Sequence, residues 1–560
     1  MVFDRSSGVL MHVTSLPSPH GVGTLGKAAY DFVDFLRDAG QRYWQVLPLG
    51  HTGFGDSPYQ CYSAAAGNPL LIDLEKLVEN GMLTADEVRA ADRDWNPDQV
   101  EYVPLIEARY PLLRRAYARA KEMPHVMQAV AAFRAHSADW LEDYALFMAL
   151  KEEKYEGAPL WDWPDADVRG RKPKALAAVR EELADEIDFR VFLQTVFYMQ
   201  WGQLHAYAAR NGVRIIGDIP IYVSPDSSDV WQHRGLFKLN PDYSPKKVAG
   251  VPPDYYSETG QLWGNPVYNW TAHEKSGYAW WIWRLKQNAD LFDVIRIDHF
   301  RGFEAFWEVD AGEETAVNGA WRKGPGMKLF RVLAEAVPEL PIIAEDLGVI
   351  TDGVRALLAE TGFPGMRVMI FGFNRFEDNA HLPHNYPVNG IVYTSTHDSE
   401  TICQQVLDIC TPEDAQFARD YMRWDGREPL AWAAIRTLFA SPASIAMTTM
   451  QDLLNLGKDA RMNVPATIGG NWSWRVRADG INKDVAAFLK KVTDVNRRYH
   501  EVPWVFDQQT LDEIEYEEVT PDMDYGAHKY WTDVREQAAL MRRSNDFLTR
   551  FVPVGGAQAD

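Results

Sequence analysis

Eight short apolar runs, each ending in polar or small residues, recur along the chain at residues 9–15, 43–49, 214–222, 294–300, 341–347, 366–373, 391–397 and 444–450. Strands covered on both faces read this way, as near-continuous hydrophobic stretches rather than strict alternation. Helical patterns at residues 28–39 and 326–336 lie between some of them. Eight strands alternating with helices predict an α/β fold, a (β/α)8 TIM barrel. A doubly wound sheet is the alternative, but no GxGxxG follows a strand to mark a dinucleotide site.

Two long excursions interrupt the alternation. Residues 50–212 form an insertion subdomain after the second strand, opening with the glycine- and aromatic-rich HTGFGDSPYQCYSAAAGNPLLIDL and then turning helical. Its last helix, about residues 186–211, carries Phe189, Phe192, Val196 and Met199 at the spacing of a packing stripe, and Gly212 suits its C-terminal cap. Residues 224–290 form a lid or insertion after the third strand. Within it, VAGVPPDYYSETGQLWGNPVYNW (248–270) is too dense in Pro, Gly and Asn for a helix or a central strand. It reads as a long loop that sets Tyr255, Tyr256, Trp263 and Tyr268 over the barrel's mouth, or else as a loop packed down by those aromatics. Residues 452–560 form a C-terminal helical part, with amphipathic stretches at 483–498 and 528–551 and a frayed tail at 555–560. Residues 1–560 thus read as a single catalytic barrel with insertions.

Composition narrows the ligand. A net charge of −22 argues against a nucleic acid or an anionic membrane as partner, and suits a neutral one. With 20 Trp, 24 Tyr and 25 Phe, the chain is well supplied for stacking on the apolar faces of sugar rings. Cys61, Cys403 and Cys410 form no CxxC and cannot all pair, which suggests a reducing compartment. No run approaches the roughly 18 apolar residues of a membrane span, and the N-terminus lacks the pattern of a signal peptide. The cytoplasm is the expected location.

The chemistry gathers where barrel enzymes keep it, at the C-terminal ends of the strands. Strand three ends GDIPIY with Asp218, strand four ends RIDHF with Arg296, Asp298 and His299, strand five reads PIIAEDL with Glu345 and Asp346, and strand seven reads IVYTSTHD with His397 and Asp398. Arg296 and Asp298 are two apart, so they share one strand face and can compensate each other's charge. A structural ion pair at a strand end would need the same two residues. Paired carboxylates are what glycosidic bond cleavage requires, one as nucleophile and one kept protonated as acid. Crowded acids raise one another's pKa and help keep one neutral. His381 and His384 in HLPH read as hydrogen-bonding or capping residues; there is no HExxH or CxxC for zinc and no GxSxG elbow.

The strings DSPYQ, GDIPIYV, GQLWGNPVY, RIDHFRGF, AEDLG and STHDS, in this order, resemble the amylomaltases, 4-α-glucanotransferases related to the α-amylases. The resemblance runs from Gly8 to about Trp474 and implies a (β/α)8 barrel acting on α-1,4-glucans such as maltooligosaccharides, glycogen or starch. It implies Asp298 as nucleophile, Glu345 as general acid/base and Asp398 as the acid that stabilises the distorted, cationic sugar. Arg296 would hold the nucleophile ionised, His397 would bind sugar hydroxyls, and Asp218 would line the same subsite. His299 is counted with these binding residues. Tyr59 would stack on the sugar, Trp263 and Asn265 belong to a lid, and Asn463 in RMNVPA lies on the donor side. The family string there is expected as NTPG, so Val464 and Ala466 are departures. The implied reaction is a retaining double displacement through a covalent glucosyl–enzyme, with the reacting carboxyls about 5–5.5 Å apart and no metal or organic cofactor. An amylase-type hydrolase and a non-catalytic glucan-binding barrel are the rival readings.

Overall fold

The computed structural model describes residues 3–253, 257–338, 340–499 and 525–551. Twelve strands are present among them: β1 (Ser6–Leu10), β2 (Tyr43–Gln45), β3 (Arg214–Ile219), β4 (Lys247–Val251), β5 (Gln261–Pro266), β6 (Val294–Ile297), β7 (Ala305–Asp310), β8 (Ala320–Lys323), β9 (Ile342–Ala344), β10 (Gly365–Val368), β11 (Gly390–Tyr393) and β12 (Ile445–Thr449). Eight pair in parallel in the order β10-β11-β12-β1-β2-β3-β6-β9. The Ala344 N–H donates to Pro364 O at 3.0 Å and brings β9 against the chain entering β10, closing the ring. This is the (β/α)8 barrel expected from the eight apolar runs. The first strand starts earlier than its apolar run, because Ser6 and Ser7 are buried in the ladder while Val13–Ser15 turn into a short 3-10 helix.

Parallel strands need helices on their outer face. The helix Lys27–Asp38 joins β1 to β2, and Ala184–Arg210 delivers the chain to β3. The latter is buried nearly all round, including Phe189, Phe192 and Val196, while Met199 is half-buried. It ends where Asn211 gives way to Gly212 at φ +71°, a conformation only glycine adopts without strain. The amphipathic pattern near the C-terminus forms the helices Lys483–Val495 and Tyr525–Leu548. The expected frayed tail at 555–560 lies outside the described residues.

The lid region differs from expectation. β4 and β5 form a second, antiparallel sheet in the order β5-β4-β7-β8, with β4 in its interior. The apolar run Val248-Ala249 is buried, and Gly250 lets β5 approach so closely that a Cβ there would lie 2.4 Å from Gln261 O. Proline density ended the strand at Val251 but did not prevent it. Tyr268 is fully buried, donating its hydroxyl to Ile221 O at 2.7 Å, so it belongs to an aromatic core and not to the mouth. Tyr255 and Tyr256 lie outside the described residues.

Inside the barrel wall, Gly217 sits on β3 where a Cβ would come within 2.1 Å of the Phe292 ring. Gly217→Ala is expected to destabilise the protein by roughly 1–3 kcal/mol through forced displacement of that ring. Chemical denaturation of the two proteins measures this, and an unchanged midpoint would contradict it.

Candidate active site

The register of the barrel sets the first contact. Asp218 on β3 lies directly opposite Arg296 on β6. Arg296 is buried and spans two acids: its Nη1 meets Asp218 Oδ2 at 2.5 Å and its Nη2 meets Asp298 Oδ1 at 3.0 Å. The Asp218 side chain has no exposed surface, so it reaches a ligand only through its partners. One partner is Tyr59, whose hydroxyl donates to Asp218 Oδ2 at 2.8 Å and lies 2.8 Å from His397 Nε2. The Tyr59 ring stacks on His397 with centroids 5.5 Å apart.

β6 ends at Ile297, but the Asp298 N–H still donates to Ile219 O at 3.0 Å, so the side chain leaves a fixed main chain. The next residue, His299, takes φ +50°, a left-handed conformation uncommon outside glycine. Its N–H donates to Glu345 Oε2 at 2.7 Å, and the Leu347 N–H donates to Glu345 Oε1 at 2.8 Å. The Glu345 main chain is tied to the same turn, donating to Ile297 O and accepting from Phe300 N–H, both at 3.0 Å. Asp346, its neighbour, takes another path: it accepts from Met366 N–H at 2.6 Å and pairs with Arg367 at 3.0 Å.

Asp398 stands across the mouth with its side chain 44% exposed, open to a ligand. His397 Nε2 lies 3.1 Å from its Oδ2, and Asn463 donates to its Oδ1 at 2.7 Å. Trp263, half-buried, sets its ring edge against His299 at 4.8 Å. Asn265 is buried in the wall, donating to Val223 O at 2.8 Å and accepting from Gln60 at 3.0 Å. Tyr59, Asp218, Arg296, Asp298, His299, Glu345, His397, Asp398 and Asn463 therefore form one connected site, with Trp263 resting on its edge.

Two neighbours escaped the sequence reading. Trp472, in GGNWSWR, packs near both Tyr59 and His397 at 5.7 and 6.1 Å. Arg461 donates to the carbonyls of Asp398 at 3.2 Å and Asn463 at 2.8 Å and pairs with Glu400. Its position two residues before Asn463 was the available signal. In the same loop Ala466 sits at φ +60°, where a glycine was expected. The backbone turn is kept, at a cost of about 1–2 kcal/mol for a side chain in that region.

The electrostatics divide the acids. Burial pushes Asp298 up to about 6; Arg296 opposes the rise, while Asp218 and Asp398 add to it. Burial and the adjacent Asp298 push Glu345 up to about 7, against the two N–H groups that favour its charge. Asp398 lies down at about 2: burial would raise it, and His397 and the Asn463 amide outweigh burial. Burial lowers His299 to about 3, leaving it neutral. Among the described residues, no group of three or more His, Cys, Asp or Glu is placed to hold a metal. His381 accepts from Val368 N–H, and His384 bonds Tyr421 and Asp378. No helix among those residues is long and apolar enough to cross a membrane.

Residues 11–481 match the profile of the 4-alpha-glucanotransferase family. The chain belongs to that family. It is 47% identical to the 4-alpha-glucanotransferase of Streptococcus pneumoniae over 501 residues, 89% of this chain and 98% of that protein. It is also 47% identical to the Thermus thermophilus 4-alpha-glucanotransferase over 506 residues, 89% of this chain and 100% of the relative. Among solved structures, the amylomaltase from Streptococcus agalactiae in complex with acarbose superposes with a TM-score of 0.86 at 43% identity, covering 89% of this chain and 100% of that one. The chain is therefore an enzyme with 4-α-glucanotransferase activity, and the family's reaction moves a glucan segment through a covalent intermediate.

The raised acids carry a stability signature. Asp298 and Glu345 bind protons more tightly in the folded chain than in the unfolded one, so stability falls as pH rises from about 4 through about 7. Asp398 works oppositely, its contribution present above its ordinary value and lost as pH falls toward about 2. Asp298→Asn and Glu345→Gln are each expected to flatten this fall, so that stability relative to the parent is higher at pH 8 than at pH 5 by about 1 kcal/mol. Calorimetry at the two pH values reads this, and an unchanged difference between the two pH values would refute it.

Proposed function

We propose that Asp298 is the nucleophile, Glu345 the general acid/base and Asp398 the residue that stabilises the cationic sugar. The observation that carries this reading is the arrangement around Arg296 and His299. One guanidinium pairs with Asp298, and the main-chain N–H next to Asp298 holds the Glu345 carboxylate. Two acids thus stand side by side with different environments, as a retaining displacement needs.

Asp298 attacks the anomeric carbon of an α-1,4-glucan while Glu345 protonates the departing glycosidic oxygen. The aglycone piece leaves and a covalent glycosyl–enzyme remains. Glu345, now ionised, takes the proton from the 4-hydroxyl of an acceptor, which attacks the same carbon and restores the original configuration. Burial pushes both acids up, and the guanidinium paired with Asp298 favours the charge there, so the shared proton rests on Glu345. Tyr59 and His397 offer a stacked ring platform and polar edges to the sugar, and Asp218 acts through Arg296 and Tyr59. Asn463 orients Asp398, Trp263 with His299 builds the acceptor side, and Asn265 braces the wall through Val223 and Gln60. Maltooligosaccharides, glycogen or starch are the fitting donors, and an acidic chain with three free thiols suits the cytoplasm.

The same residues support hydrolysis if water reaches the intermediate first. Trp263 favours transfer, because an apolar ring at the mouth excludes water and offers a surface to a second sugar. Incubation with maltotriose should yield both longer oligomers and glucose, and Asp298→Asn should lower turnover by at least about 10³-fold while keeping glucan affinity. A fully active Asp298→Asn variant would remove Asp298 from its role. Trp263→Ala is expected to raise the ratio of hydrolysis to transfer several-fold, roughly the effect of losing one stacking contact. An unchanged product ratio would place acceptor selection elsewhere.

A further inference from the structure

We propose that Asp452 is a positioning residue that fastens the loop bearing His397 and Asp398. The proposal rests on the role given above to Asp398 and extends it to a residue that touches no substrate. Asp452 lies in the short helix Met450–Leu453 that follows β12 and has no exposed surface. Its Oδ2 accepts hydrogen bonds from Thr394 Oγ1 at 2.6 Å and from Ser395 Oγ. Its Oδ1 accepts from the Ile402 N–H at 2.7 Å. These partners are the two ends of the segment 394–402, which leaves β11, carries His397 and Asp398 across the mouth, and turns into the helix Ile402–Gln404. One carboxylate therefore closes the base of the loop.

The carboxylate is itself held in place. Its main-chain N–H donates to Thr449 Oγ1 at 3.2 Å, and the same hydroxyl lies 3.2 Å from Ser395 Oγ. Within the loop, Thr396 N–H donates to Ser399 Oγ at 2.9 Å. On the opposite side, Arg461 and Asn463 grip Asp398 by its carbonyl and its Oδ1. The loop is thus gripped from below by Asp452 and from the side by Arg461 and Asn463. A buried carboxylate is costly to desolvate, and an apolar side chain would fill the same space. The carboxylate sets one oxygen toward each end of the loop, and an apolar side chain would fix neither. Removing it leaves the lateral grip on Asp398 intact but frees the angle at which that acid meets the sugar, which matters most in the transition state.

The test uses the full chain with maltotriose as substrate. Asp452→Ala should lower kcat roughly 10- to 100-fold while KM moves by less than about threefold, the pattern of a group displaced by an ångström or less. Asp452→Asn keeps an acceptor for the Ile402 N–H and should recover part of the loss. The paired change Thr394→Val with Ser395→Ala cuts the same contacts from the loop side. It should lower kcat in the same way and add little on top of Asp452→Ala. If Asp452→Ala does not fold, this loop-side pair decides the matter. A folded Asp452→Ala protein, or the loop-side pair, with unchanged kcat and only a lower melting temperature would overturn the proposal. Asp398→Asn is measured alongside: retained turnover there would instead overturn the role of Asp398 itself.

Discussion

Arg296 is the cation around which the site is built. Placing a guanidinium at 4% side-chain exposure carries a desolvation penalty that only close acids repay, and two are supplied, one from the neighbouring strand and one from its own. Because Asp218 lies opposite Arg296 in the ladder, the pairing is fixed by strand register and not by loop conformation. A one-residue slip of β6 against β3 would turn Arg296 into the helical layer and strand Asp218 without a partner. The demand for a charge-compensated interior therefore specifies both the register of β6 and the direction in which Asp298 points. Tyr59 and His397 then follow, since both attach to Asp218 directly or through one hydroxyl.

The balance at Asp298 shows how little one cation achieves when the site is closed from water. Arg296 opposes proton uptake, yet burial and the acids nearby outweigh it, and the carboxyl rises well above its ordinary range. Asp398 meets the reverse outcome: burial presses it up as well, but a histidine and an amide donor outweigh burial. Two aspartates within one mouth thus shift in opposite directions for reasons traceable to named neighbours.

Much of this was legible in the residues. The eight apolar runs carried the barrel because parallel strands cannot hide polar residues on either face, and the acids stood out because they ended those runs. The pairing of Arg296 with Asp298 followed from two-residue spacing alone. What escaped had weaker local signals. β4 and β5 each contain a glycine and are short; β4 gains its strand character from pairing with β7, more than fifty residues further along the chain, and β5 from pairing with β4. Tyr268 looked like a lid residue because loops bear aromatics at their tips, but its hydroxyl finds a buried carbonyl and the ring goes inward. The left-handed turn at His299 has no signature, since histidine is not a glycine; the turn is held by what its N–H meets, not by its own propensity.

The second sheet changes what the aromatic mouth is. β5, which carries Trp263, is hydrogen-bonded to β4, β4 to β7, and β7 begins seven residues after Asp298 with a compact turn between. The covering strand is a branch of the chain that leaves β6 and not a flap hung on two hinges. The strand bearing Trp263 and the turn bearing Asp298 are consequently linked through one sheet, and a change that tilts the sheet also tilts Asp298. Redesign of the mouth by exchanging this segment between relatives would transplant part of the support of Asp298 with it, so compatible pieces are those that bring β4, β5, β7 and the 298–304 turn together.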